Sequence, residues 1–430
     1  MEEINADLHI HGRYSAATSK NMDFHEIARG AKLKGVDIVG TGDILHPVWR
    51  KKLAELEKVD GGTYATDGVF FVPTVEIEDA RRVHHLIIFP SLSSAEQMAE
   101  ELGKKWGADL KTDGRPKVQA EGWDIGEIAH EAGAIFGPCH AFTPWTALYA
   151  SHDTLKTCYR DMTAHVSFLE LGLSADTDYA DRISELHRLT FLSNSDAHSP
   201  SPIRLAREFN RLLVEDPTAE EVIRAIQRKK GHGVVLNVGF PPQEGKYNET
   251  ACVRCYRHYT LAEARQSRWK CVCGGRIKKG VRDRVEELAD LPPGFHPPHR
   301  PPYLHIIPLG EIIAKALGLS SPTTKKATEE WQKLVEHFGS EVRVLVDASM
   351  DEIKDIADPR VVWGIKAFRD GKVIIKPGGG GKYGEIIIPT ALSVGEESTP
   401  EPAGSKKTDA SRKPEKQPKS RGQQTIDMWF

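Results

Sequence analysis

Ala6-Asp7-Leu8-His9-Ile10-His11 sets two imidazoles two positions apart in an otherwise apolar stretch near the start of the chain. In an extended strand, residues i and i+2 share a face, so His9 and His11 point the same way and can chelate one divalent ion. A single His-x-His pair is often an accident of composition. Recurrence gives this one weight: Asp43, Glu76, His140 and the pair Asp196 with His198 each follow an apolar run at its C-terminal end. In parallel α/β folds those ends converge on one face, and that face carries the active site. The stretch therefore predicts a fold together with a site.

The same alternation continues to about residue 237. Apolar runs at 36–39, 69–75, 86–89, 134–136, 166–171 and 190–192 read as strands, and amphipathic stretches at 24–34, 95–105, 124–132, 179–188 and 219–229 read as helices. Strand alternating with helix predicts an α/β domain with a largely parallel sheet or barrel. Phe240-Pro241-Pro242 leads into a cysteine-containing segment, and a proline-rich connector at 292–302 follows, stiff because proline fixes φ. Residues 304–389 read as mainly helical, ending in strands at 373–375 and 386–388 around Gly378 to Gly381. Residues 395–422 are rich in Pro, Ser, Lys and Glu and read as a disordered tail. The expected division is a catalytic domain at 1–238, a four-cysteine zinc-binding module at 239–290, a mainly helical DNA-binding domain at 291–392, a basic linker at 393–422 and a recruitment peptide at 423–430.

A chain of 430 residues exceeds one compact core at about 150 residues per domain. No apolar run approaches the ~18 residues that would span a bilayer, so no membrane role is expected. Met1-Glu2-Glu3-Ile4-Asn5 lacks the basic start and apolar stretch of a secretory signal, which predicts a cytoplasmic protein. The net charge of -3 hides a segregation: residues 246–284 hold 11 basic against 3 acidic side chains, and residues 404–422 hold 7 against 2. The remainder is an acidic body near -16 carrying two basic attachments, a distribution that points to a polyanionic partner.

Four of the six cysteines crowd into the first basic segment as Cys252-Val253-Arg254-Cys255 and Cys271-Val272-Cys273. Two such knuckles supply four thiolates for a structural tetrahedral zinc site, a zinc ribbon, which can fold a segment too short for its own core. Arg254, Arg257 and Trp269 lie among them, and basic groups interleaved with aromatic faces suit nucleic acid. The plainer alternative is a solvated basic face with the aromatics used as the module's small core.

Asp7-Leu8-His9-Ile10-His11, Thr41-Gly42-Asp43, Val75-Glu76-Ile77, Val83-His84-His85-Leu86, Pro138-Cys139-His140 and Asn194-Ser195-Asp196-Ala197-His198 together resemble the polymerase and histidinol phosphatase (PHP) metallophosphoesterase family. The resemblance covers about the first 235 residues and implies a distorted seven-stranded (β/α) barrel holding up to three metal ions. By carry-over, His9, His11, Glu76 and Asp196 would hold one ion, Glu76 with His84 and His140 a second, and Asp43 with His198 a third. Zinc is expected in both the cysteine site and the active site, with Mg or Mn as alternatives for catalysis. The sequence departs from the family's pattern after His11, where Arg13, Tyr14 and Ser15 stand, and at Asp43, where histidine is usual. His46 and His85 stand beside the assigned ligands as substitutes. Metal ions lower the pKa of bound water, and a pair about 4 Å apart can stabilise attacking and leaving oxygens of a phosphoryl transfer.

From 317 to 356 the sequence resembles a helix-hairpin-helix DNA-binding pattern without its hairpin glycines. The last residues, Gln423-Gln424-Thr425-Ile426-Asp427-Met428-Trp429-Phe430, fit a sliding-clamp peptide in which Ile426, Trp429 and Phe430 plug an apolar pocket and Gln423 anchors by hydrogen bonds. The implied partner resembles PCNA, a ring clamp. PHP centre, cysteine module, helical domain and clamp peptide, in this order, resemble the archaeal endonuclease Q family. That resemblance implies a DNA-repair endonuclease using metal-activated water to cut 5′ to deaminated bases (uracil, hypoxanthine, xanthine) and abasic sites. Asp196, Glu76, His198 and Asp43 are its expected catalytic residues, and Phe142, Trp145 and Tyr149 the candidates for stacking on an extruded base. A PHP-type small-molecule phosphatase and a non-catalytic, clamp-bound DNA scaffold are the competing readings.

Overall fold

The protein's structure, a computed structural model, describes residues 1–60 and 62–389. Strand Glu2–Asp7 lies between a parallel neighbour, Ile38–Gly40, and an antiparallel one, Phe209–Val214. Ile38–Gly40 continues in parallel to Val69–Val72, while Phe209–Val214 pairs with Gly233–Gly239, which in turn takes Tyr303–His305 in parallel. Thr74–Glu78, His84–Ile88 and Ile135–Pro138 form an antiparallel three-stranded sheet, and Phe168–Glu170 pairs in parallel with Thr190–Leu192. Hydrogen bonds carry the chain from sheet to sheet, among them Phe89 N–H to Pro73 O, Ser167 N–H to Phe136 O and Asn237 Nδ2 to Phe191 O.

The fold is thus mixed α/β, and the expected largely parallel sheet is corrected to one with several antiparallel pairs. The single run read at 69–75 is two strands, because Pro73 has no N–H to continue a ladder. Phe209–Val214 and Gly233–Gly239 escaped the reading because Asn210, Arg211 and Asn237 interrupt their apolar pattern. Side chains alternate across the main sheet: Ala6, Ile38, Val72 and Leu212 pack on one face, and Val39 and Phe71 on the other with Phe24 and Trp49.

Helix Phe24–Lys34 coincides with its predicted span because both ends are written in the sequence. Asp23 accepts from Glu26 N–H, and Gly35 closes the last turn at φ 91°. The helix expected at 179–188 is corrected to one turn, Thr177–Ala180, and a 3-10 turn, Ser184–Leu186, since Ile183 takes an extended backbone to bury its side chain. The tail expected at 393–422 and the peptide at 423–430 lie outside the described residues.

Residues from Met1 to Pro389 form one compact unit. Helices Leu309–Leu317, Lys325–Phe338, Met350–Ile356 and Pro359–Arg369 pack against the body, and a buried ion pair clasps them to it. Lys34 Nζ lies 2.7 Å from Glu341 Oε1 and 3.0 Å from Pro202 O. Glu341 also accepts from Leu309 N–H at 3.0 Å and Trp331 Nε1 at 2.7 Å, so both of its oxygens are satisfied. Glu341→Ala strands the Lys34 charge and is expected to cost about 3–5 kcal/mol. The check is the shift of the denaturant midpoint; a shift equivalent to under about 0.5 kcal/mol, ordinary for a surface change, would show that the pair is not what holds the helices down.

Glu208, fully buried at the entry to Phe209–Val214, gives only one of its oxygens a partner, Phe240 N–H at 2.8 Å. Burial pushes its carboxyl up to about 8. Since the unfolded chain ionises near its usual value of about 4.3, the stability this group contributes is full below that pH and is lost as pH rises towards 8, at about 1.4 kcal/mol per unit. Glu208→Gln should remove this slope, gaining on the wild type as pH climbs from about 5 to about 8. Parallel stability curves for the two proteins would contradict the assignment.

Candidate metal centre and nucleic-acid interface

Five strands deliver the site, Glu76 from the middle of one and the other groups from at or just beyond an end. His9 and His11 follow Glu2–Asp7, Glu76 lies in Thr74–Glu78, His84 opens His84–Ile88, His140 follows Ile135–Pro138, and Asp196 follows Thr190–Leu192. Asp43, His140 and Asp196 all hold positive φ (49°, 27° and 49°), a left-handed backbone uncommon outside glycine. Such strain persists only where surroundings over-determine it, and it clusters at functional sites.

Glu76, 2% exposed, faces two groups of imidazoles. Its Oε2 lies 3.2 Å from His11 Nε2 and 3.9 Å from His9 Nε2, and Asp196 Oδ1 lies 3.1 and 3.8 Å from the same two nitrogens. Its Oε1 contacts His84 Nδ1 and lies 3.1 Å from His140 Nε2; those two nitrogens are 3.3 Å apart. Bond lengths of about 2.0–2.2 Å to a shared cation would put its ligands at roughly such separations. The chemistry fits as well: His9 Nε2, His11 Nε2 and Asp196 Oδ1 are buried, face one another and make no hydrogen bond among the described residues. Two three-residue groups, His9 with His11 and Asp196, and Glu76 with His84 and His140, can each hold an ion.

Electrostatics agree. Burial works against the ionised form of Glu76, yet His84, His11 and His140 outweigh it and hold the carboxyl well below its usual range; Asp196 is held low in the same way by His11, His198 and His9. His9 is raised to about 9 because Glu170, Asp196 and Glu76 outweigh its burial. The cluster therefore concentrates negative charge that either protons or a cation must balance.

The remaining expectations divide. His84, not His85, turns to Glu76; His85 points to the other side of the strand, where Asp79 Oδ2 (3.2 Å) and Tyr159 Oη (2.8 Å) engage both its nitrogens. His46 is occupied by Lys111 O at 3.0 Å and by Trp49 N–H, as the cap of helix Pro47–Ala54. Asp43 sits behind His11: its Oδ1 accepts from Ser15 Oγ (2.8 Å) and lies 3.3 Å from His11 Nδ1, and its Oδ2 accepts from Gly12 N–H (2.7 Å). His198 lies against His11 with ring centroids 4.5 Å apart and planes tilted by 45°, and hydrogen-bonds through Nδ1 to Asp196 O.

Two functional candidates were missed. Glu170, completely buried, holds His9 Nδ1 at 2.9 and 3.1 Å and accepts from His140 N–H and Asn194 Nδ2. Its signal was present, a carboxylate at the end of an apolar run like the others. Arg115 places Nη1 3.3 Å from Glu76 Oε2; it lies in an irregular stretch where no spacing announces it.

In the cysteine module, Cys252 and Cys273 Sγ are 3.6 Å apart and Cys255 and Cys271 Sγ 3.5 Å apart, and the four form one group able to hold a metal ion. Those spacings are far beyond a disulfide and near the ~3.8 Å edge of a tetrahedron with about 2.3 Å metal–sulfur bonds. The hydroxyl of Tyr259, donating to Cys271 Sγ, pulls that thiol down to about 6. Trp269 packs with Cys252, Ala264, Cys271 and Ile277 in the module's small core, whereas Arg254 and Arg257 are exposed. Of the stacking candidates, Phe142 and Tyr149 are corrected to core residues, 5% and 2% exposed and in ring contact; Trp145 is 42% exposed. Gln423, Ile426, Trp429 and Phe430 lie outside the described residues. Among the described residues, no helix is long and apolar enough to cross a membrane.

Residues 308–372 match the family "MJ0043 C-terminal domain". The chain is 46% identical over 259 residues to protein MJ0043 of Methanocaldococcus jannaschii, covering 59% of this chain and 32% of that protein, so it spans about a third of that relative's length. Against protein YqxK of Bacillus subtilis it is 31% identical over 408 residues, covering 90% of this chain and 100% of the relative. Among solved structures it is similar to the lesion-specific endonuclease PfuEndoQ of Pyrococcus furiosus, with 48% identity, TM-score 0.88, and coverage of 92% of this chain and 98% of the other. It is also similar to an endonuclease Q bound to a 27-mer duplex with an abasic lesion at the active site, with 49% identity, TM-score 0.84, and coverage of 90% and 97%.

Because Glu170 orients His9 without facing the ion group, Glu170→Gln should weaken metal binding about 10–100-fold while the fold persists. Titration of Mn²⁺ into the metal-free protein measures this, and unchanged affinity would reduce Glu170 to a packing residue.

Proposed function

The chain belongs to the endonuclease Q family of DNA-cleaving hydrolases, and from that premise we propose that it is a DNA-repair endonuclease nicking 5′ to deaminated bases and abasic sites. The observation that carries the reading is the coincidence of 48% identity over almost the whole of a lesion-specific endonuclease with a closed cluster of carboxylates and imidazoles. In this reading the chain has a PHP-type barrel at 1–238, a zinc ribbon at 239–290 and a DNA-binding helical domain at 291–392. The terminal peptide recruits it to a PCNA-like clamp, at the chromosome in the cytoplasm; support for that step is the sequence pattern of Gln423 to Phe430.

His9, His11, Asp196 and Glu76 would hold one ion, and Glu76, His84 and His140 another, with zinc, Mg or Mn as the candidates. Bound there, the ions would supply hydroxide near neutral pH and charge stabilisation for the phosphate. The chain's own groups do the rest. Glu76, with one oxygen on each side, fixes the spacing of the two groups. Arg115 brings a permanent positive charge beside Glu76, where the non-bridging phosphate oxygens would lie. His198, about a quarter exposed, would face the leaving 3′ oxygen, while Asp43 acts through His11 by lying beside its Nδ1. The four cysteines shape a module whose task is to hold DNA, a part that a small-molecule phosphatase has no use for.

Asp196→Ala should abolish nicking of uracil-containing and abasic duplexes, by at least about a thousandfold, with DNA binding largely kept. EDTA should do the same to the wild type. Labelled duplex and a phosphomonoester incubated side by side separate the readings: phosphate release with intact DNA would favour the phosphatase, and binding without either reaction would favour the scaffold.

A further inference from the structure

The loop that leaves the metal site at His140 carries the indole of Trp145 at φ 96°, deep in the region that L side chains avoid, and leaves it 42% exposed. Both flanks of the loop are fixed. Ala141 N–H donates to Glu170 O, Thr143 N–H to His140 O and Tyr149 N–H to Ala141 O, while Phe142 and Tyr149 anchor it in the core. A large apolar side chain, held out by strained backbone on a pinned loop beginning at a candidate metal ligand, does not serve the core. On its other side it meets the cysteine module: Lys278 Nζ lies 3.1 Å over the indole, and Tyr247 meets it edge-on with centroids 5.9 Å apart. The surface continues through Lys246, which sits 4.7 Å from the ring of exposed Tyr383.

Basic groups alternating with aromatic faces, half-buried or exposed, are what a nucleic-acid strand with unstacked bases requires. Burial already draws Lys278 down to about 8, with Arg276 and Lys279 adding to the effect, so a nearby phosphate would relieve it. A nucleotide cannot be extruded from a duplex without leaving a gap whose unstacking must be offset, and proteins that kink DNA do so by inserting an apolar side chain there. We propose that Trp145 is this wedge: its indole enters the duplex stack as the damaged nucleotide leaves, with Lys278 neutralising the adjacent phosphate. The proposal rests on the reading of the chain as a lesion endonuclease. It makes Trp145 a positioning residue, acting on the energetics of extrusion and not on the reacting atoms.

The test compares single-turnover nicking of one uracil in two settings, paired with adenine in a duplex and unpaired in a single-nucleotide bulge, where unstacking is already met. Trp145→Ala should lower the ratio of paired to bulged rates by about tenfold or more, and Trp145→Phe, which keeps an aromatic face, should restore most of it. In parallel, 2-aminopurine opposite the uracil should brighten when wild-type protein binds in Ca²⁺ and stay dim with Trp145→Ala. An equal loss on both substrates, as expected if Trp145 only glues the module to the body, would overturn the wedge, as would no loss on either. Wild-type protein that nicks neither substrate would overturn the endonuclease reading and the wedge with it.

Discussion

A carboxylate taken out of water costs several kcal/mol unless opposite charge and hydrogen bonds meet it, and Glu76 is such a group at the centre of this molecule. Everything that compensates it comes from elsewhere in the chain. His11 arrives from the first strand, His84 from the neighbouring strand of its own hairpin, His140 from the strand beyond, and Arg115 from an irregular stretch between them. Register decides the outcome: Glu76 pairs with Leu86 across the hairpin, which sets His84 two positions along, opposite Glu78. A slip of one residue would turn Glu76 to the other face and leave three imidazoles without their carboxylate. The sheets are thus held in register by charge as well as by apolar packing.

A second network locks the frame behind the candidate ligands. Asn194 accepts from Leu8 N–H and donates to Glu170, which grips His9; Asp7 accepts from Ser195 Oγ and from Ala206 N–H. Three of these bonds join positions nearly 200 apart in sequence, so the first strand and the Asp196 loop cannot part without exposing several buried polar groups at once. Asp7 is raised to about 6 by burial against its hydrogen bonds from Ser195 and Ala206. Left-handed backbone at Asp43, His140 and Asp196 is tolerable in this setting because the neighbours on either side are fixed.

Strand periodicity made His9 and His11 legible, and the ends of apolar runs made Glu76, His140 and Asp196 legible, because both signals are local, although Glu76 in fact sits mid-strand. Glu170 carried the same end-of-strand signal but was absorbed into the apolar run at 166–171, where one carboxylate among apolar neighbours draws no notice. Arg115 had no signal at all, since its role depends on a loop folding back over 39 positions to Glu76. Phe142, Trp145 and Tyr149 look alike in sequence; only the turn at Trp145 separates two core rings from an exposed one. Charge counting also needed the structure. The surplus at 246–284 stops just short of Glu286 and Glu287, and Glu287 binds Arg265 and Lys279 while Glu249 binds Arg282, so part of that positive charge is matched inside the module. Arg254, Arg257 and Arg276 remain on the exposed face.

One of the module's arginines does more than balance charge. Arg284 Nε donates to Tyr149 O at 3.0 Å and its Nη2 to His152 O at 3.1 Å, with Asp153 closing the pair. The loop so gripped is the one that begins at His140 and exposes Trp145. One segment of about a dozen residues therefore has a candidate metal ligand at its start, an exposed indole in its middle and the cysteine module clamped to its end. Backbone carbonyls are poor places for independent motion, because each must be satisfied wherever it goes. Shifting the module would release two of them and move the indole under Lys278, so the exposed indole surface and the candidate metal ligand at His140 are set by the same few hydrogen bonds. The acidic body and its basic attachment are in this sense one site, divided in sequence by charge and rejoined in space by a loop.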